Sequence, residues 1–126
     1  MELRSSLRRV RGLGSAKEGV GHWWAQRVTA IALVPLSIWF VVSMISLIGT
    51  DYADYQAWIG QFGMALLMIL TVLVLFYHAH LGMEVVIEDY VAGEGVRVVA
   101  LLAVKFVLAA LAASCVLAVV LVALRS

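Results

Sequence analysis

The sequence predicts an all-α integral membrane protein, a bundle of three transmembrane helices. Three observations carry this reading. Hydrophobic residues make up 64% of the 126 residues and charged ones only 13%, with a mean hydropathy of +1.04, far from the composition of a soluble domain. The apolar residues gather in three long runs, each long enough at 1.5 Å per residue to cross a hydrocarbon core of about 30 Å. The charges lie almost wholly between and outside those runs.

Residues 1–21 form a polar, basic N-terminal arm. Arg4, Arg8, Arg9, Arg11 and Lys17 are five of the nine basic residues, and Gly12, Gly14 and Ser15 among them favour little regular structure. Residues 22–126 are the membrane anchor domain. Its first span covers about 28–49, without a charged side chain and with Pro35 as a modest kink. This run exceeds the apolar core of about 7–15 residues in a secretory signal, and no small-residue cleavage site follows, so it reads as a retained span. An acidic connection, Thr50 to Gln56, comes next. A second helix is expected from near Ala57, spanning the membrane over about 58–83 and continuing to about Val91, so that Glu84, Glu88 and Asp89 emerge at the headgroups. Gly93 and Gly95 punctuate the turn after it. The third span, about 97–124, is interrupted only by Lys105.

The basic arm and Arg97 place the N-terminus and the second connection in the cytoplasm and the C-terminus in the periplasm of a bacterial inner membrane. Trp23, Trp24, Tyr52, Tyr55 and Trp58 sit at span edges, as interfacial aromatics do. The single cysteine, Cys115, excludes a disulfide within the chain and reads as small packing volume. No phosphate-binding glycine loop and no Cys-x-x-Cys pair is present, and no nucleic-acid partner is expected. No residue is assigned a catalytic role. Three helices hardly enclose a reaction chamber, which points to one part of a larger complex.

The chemistry therefore rests on a few polar residues. His78 lies near the end of the second apolar run, where an imidazole is unfavourable unless coordinated or hydrogen-bonded. A neutral imidazole is a standard axial ligand of haem iron, and a hydrogen-bonded interior histidine is the plainer alternative. His80 points about 200° away from it, so the two cannot face one ligand. Gly82, one turn beyond His78, would let a flat macrocycle approach the backbone, and Thr71, Val74 and Leu75 extend that face. Arg27 borders the first span as a snorkelling anchor or an anion partner. Asp89 and Tyr90, at the end of the second helix, suit a hydrogen bond to a quinone carbonyl and its proton supply, or simple interfacial solvation.

The string from His78 to Val91, with Gly82 at the fourth position on and an Asp-Tyr pair at 89 and 90, resembles the signature of the D-type hydrophobic membrane anchor family of succinate dehydrogenase, respiratory complex II. Gln26-Arg-Val-Thr-Ala-Ile-Ala-Leu33 resembles the Arg-x-Thr-Ala start of that family's first helix, and the stretch from Ser15 to Trp24 resembles its alphaproteobacterial and mitochondrial form. The resemblance implies half of a two-subunit haem-binding anchor. His78 would be an axial ligand of haem b, with the other axial histidine on a companion C-type anchor. Arg27 and His22 would lie near the haem propionates, and Tyr90 with Asp89 would line a ubiquinone pocket shared with the iron–sulfur subunit. The flavoprotein subunit would be an indirect partner, and membrane lipid would surround the spans. His80 stands where the family commonly has an aromatic or apolar residue, which makes it a rival ligand. A fumarate reductase anchor, and a non-redox structural or transport protein, are the alternative functions.

Overall fold

A computed structural model describes the backbone of residues 15–125 and side chains from Val20 onward. Arg4, Arg8, Arg9, Arg11 and the side chain of Lys17 lie outside the described residues. Four helices follow in order: α1 (Ser15–Ser46), α2 (Tyr52–Ile59), α3 (Phe62–Tyr90) and α4 (Glu94–Arg125). Three stretches, Val20–Ser46, Phe62–Tyr90 and Glu94–Arg125, are long and apolar enough to cross a membrane.

The helix boundaries differ from the expected ones in three places. Helix α1 begins at Ser15, inside the stretch assigned to the polar arm, because Ser15 to Trp24 holds no proline and too few glycines to oppose helix. It ends at Ser46, and Gly49 at φ +86° makes the turn that follows, so residues 47–49 leave the expected first span. The second helix does not start near Ala57. Asp51 instead caps a separate helix α2 by accepting the Asp54 N–H at 2.9 Å, as N-terminal aspartates do. Helix α2 stops at Gly60, Gln61 is extended (φ −71°, ψ 134°), and α3 begins afresh at Phe62. Gly93, at φ +85°, turns the chain into α4, a conformation open to glycine at little steric cost.

Helix α3 is the centre of the molecule. It packs along α1 on one side and α4 on the other, while the backbones of α1 and α4 do not approach each other closely among the described residues. Helix α2 rests against α3 and α4, with its Trp58 ring stacked 5.9 Å from Trp39 of α1. The core is thin: Ile59, Met68, Leu81 and Ile87 are its buried apolar residues, joined by Thr29, Ser43 and Thr71. Thr71 satisfies its hydroxyl on the Leu67 carbonyl at 2.7 Å. Small hydroxyl residues let membrane helices approach closely where no water drives apolar association. Around this core, side chains such as Ile31, Val34, Ile38, Val99 and Phe106 face outward. Helices apolar all round belong in lipid or against other membrane helices.

Candidate functional site, a histidine-bearing helix end

The polar residues singled out in the sequence converge on one end of the bundle, where α1 starts, α3 finishes and α4 starts. Helices α1 and α3 run antiparallel there, in register through two side-chain bridges: Thr29 with His78, and two turns outward His22 with Glu84. On α1, His22, Gln26 and Thr29 are spaced by four and three residues and share the face toward α3.

His78 is half-buried, and its Nδ1 lies 2.8 Å from Thr29 Oγ1. No partner for its Nε2 exists among the described residues. Gly82 sits one turn outward on the same α3 face. A Cβ placed there would lie 3.7 Å from Gln26 Nε2, so the space beside this glycine is taken by a side chain of α1. The face read as open to a macrocycle is in part the α1–α3 crossing. Gln26 Oε1 is buried there without a hydrogen-bond partner, an acceptor available to a donor from outside the chain.

His80 turns toward the opposite side, as the 200° separation requires. With Leu73, Tyr77 and Lys105 it lines an open groove of about 270 Å³ between α3 and α4. Its Nε2 approaches Glu84 Oε2 at 3.5 Å, while Glu84 Oε1 is 3.2 Å from His22 Nε2. Glu84 therefore stands between the two histidines and ties α1 to α3. His22, expected near haem propionates, is engaged with this carboxylate.

Arg27 is exposed, one residue round from the inward-facing Gln26, and its guanidinium lies 5.1 Å from the Trp23 ring centroid, a cation–π distance. The fold does not bring it against His78. Asp89 and Tyr90 end α3 with both side chains exposed, Tyr90 at 82%. Neither makes a hydrogen bond or ion pair among the described residues. The two stand in the open at the same end of the bundle as the histidines, where another chain could complete a pocket. Arg97 secures the adjoining turn by donating from Nη2 to the Val91 carbonyl at 3.2 Å.

Three side chains of this site received no role from the sequence: Thr29, Gln26 and Glu84. The spacing of four between His80 and Glu84 is a helical contact signal that was available. The pairing of α1 with α3 that brings in His22, Gln26 and Thr29 has no local signature.

No group of three or more metal-ligating side chains occurs among the described residues. At His78 the donor is a single imidazole nitrogen without a partner among the described residues, which fits a haem iron whose other axial ligand and remaining enclosure would come from outside this chain. Taken with the fold, this defines a class: a helical membrane protein with three helices long and apolar enough to span the bilayer and a polar site at one end of the bundle. A profile of the family described as succinate dehydrogenase/fumarate reductase transmembrane subunit matches residues 1–123. The hydrophobic membrane anchor subunit of succinate dehydrogenase from Rickettsia bellii (strain RML369-C) is 35% identical over 82% of this chain and 83% of its own length. That of Paracoccus denitrificans is 35% identical over 82% and 80% respectively, and the membrane anchor subunit of Reclinomonas americana 31% over 72% and 78%. No solved structure matches significantly. The chain belongs to the succinate dehydrogenase/fumarate reductase transmembrane subunit family, and its similarity within it is to succinate dehydrogenase membrane anchors. Membrane anchoring, as one subunit of a complex, is its function.

Proposed function

We propose that this subunit binds haem b jointly with a second, C-type anchor through His78, and contributes Tyr90 and Asp89 to a site where ubiquinone is reduced. The observation that carries the reading is the imidazole of His78, held within an apolar helix by its Nδ1 while Nε2 has no partner among the described residues. A ligand-ready nitrogen at that depth is unfavourable unless something coordinates it. Haem b bound there supplies a one-electron redox centre. Arg27, at the border of the first span, would meet a propionate once a neighbouring helix closes the site. The iron–sulfur subunit docks on the exposed end of α3, with the flavoprotein that oxidises succinate beyond it.

Ubiquinone takes up two electrons and two protons to become ubiquinol. At the end of α3, the Tyr90 hydroxyl donates a hydrogen bond to one quinone carbonyl, polarising it toward reduction, and Asp89 passes a proton inward from the aqueous side. The basic arm and Arg97 hold this end in the cytoplasm of a bacterial inner membrane, where protons and the peripheral subunits are found. Tyr90→Phe, which removes only the hydroxyl, tests the quinone assignment in the complex purified in mild detergent through this chain. Loss of one such bond is worth about 1–3 kcal/mol, which is a factor of about 5 to about 150 in rate. Succinate–quinone reductase activity is expected to fall by that factor, while succinate oxidation with an artificial acceptor and the companion subunits recovered stay unchanged. Unaltered quinone turnover and affinity would return Tyr90 to the role of interfacial anchor.

A further inference from the structure

We propose that Thr29 is a positioning residue that keeps the proton of His78 on Nδ1, so that Nε2 presents a bare lone pair to iron; this rests on the haem reading above. The argument is a proton count. A threonine hydroxyl carries one proton and two lone pairs, and a neutral imidazole carries one N–H. Thr29 Oγ1 lies 2.7 Å from the Ala25 carbonyl oxygen and 3.0 Å from that of Gln26. Both are acceptors only, and two oxygens 2.7 Å apart repel unless a proton lies between them. The hydroxyl proton therefore goes to the backbone of its own helix. The remaining contact, His78 Nδ1 at 2.8 Å, has to be the donor to Thr29 Oγ1. With its proton on Nδ1, the imidazole has none on Nε2.

Thr29 is 92% buried by the packing of α1 on α3, since its exposure is 8%, so water does not readily replace the acceptor. The third helical turn of the Val20–Ser46 stretch thus sets the tautomer of a histidine 49 residues away. Partners of this kind on the remote nitrogen of a ligating histidine fix ring orientation and raise ligand basicity. A more basic ligand stabilises oxidised iron, so deleting the acceptor raises the midpoint potential.

The test is an optical redox titration of the whole complex purified from membranes with wild-type, Thr29→Val and Thr29→Ser anchors. Val keeps the shape and removes the hydroxyl; Ser keeps the hydroxyl. The Val variant is expected to shift the oxidised/reduced equilibrium about tenfold, a rise of about 59 mV for one electron, with the Ser variant at the wild-type potential. A Val variant titrating like wild type, or a Ser variant shifted as far as Val, overturns the proposal. If the Val complex does not assemble, Thr29→Ala replaces it with the same expectations. Failure of the underlying reading looks different: a wild-type complex without b-type absorption, or a His78→Ala complex that keeps its absorption unchanged, removes the haem ligand itself.

Discussion

Gly82 separates two ways of using the inner face of α3. Its missing side chain lets α1 close in, and a Cβ added there would meet Gln26 Nε2 at 3.7 Å, within the range of ordinary van der Waals contact. Gly82→Ala is thus expected to be accommodated, within about 1 kcal/mol of wild type, since alanine also has the better helix propensity. Gly82→Leu extends three further carbons into space held by Gln26, next to the Thr29–His78 bridge. Overpacking of this kind is worth about 1–3 kcal/mol, a change by a factor of about 5 to about 150 in a folding or assembly equilibrium. The assay is thermal dissociation of the detergent-purified complex, scored by intact subunits and by the optical spectrum. Leu is expected to lower the midpoint and Ala to leave it in place. A Leu variant as stable as wild type, or an Ala variant as damaging as Leu, would refute the idea that α1 is what Gly82 makes room for.

Two other expectations follow from particular contacts. Glu84 and His22 side chains remain about one third exposed, so the pair is screened, and a His22→Ala/Glu84→Ala double-mutant cycle on thermal stability is expected to give a coupling of about 0.2–1 kcal/mol; no measurable coupling would remove this link between α1 and α3. A reporter fused after Ser126 is expected to be active only on the periplasmic side, given the basic arm at the other terminus, and a cytoplasmic signal would contradict an odd number of spans.

The all-α membrane class and the three spans were legible because lipid imposes a length and an apolarity that composition alone reveals. His78 stood out for the same reason, as a polar group with no cheap place in an apolar helix. The separation of His78 from His80 followed from helix geometry and is seen in their opposite surroundings, Thr29 for one and the α3–α4 groove for the other. The break at Gly60 and Gln61 was missed because an apolar run reads as continuous whether or not one residue turns extended. The partners Thr29, Gln26 and Glu84 escaped notice for a different reason. Which helix lies against which face is decided by side-chain fit between segments dozens of residues apart, and periodicity within one helix carries no trace of it. For Arg27 the place at the border of the first span was legible, while its outward setting over the Trp23 ring depends on its position round the helix.

The most direct measurement is the reduced-minus-oxidised optical spectrum of the purified complex carrying His78→Ala, beside His80→Ala. With Nε2 of His78 as the ligand atom, the His78 variant is expected to lose or severely alter the b-type absorption and the His80 variant to keep it. Absorption retained without His78 and lost without His80 would contradict the assignment and move the ligand to the α4 side of the helix.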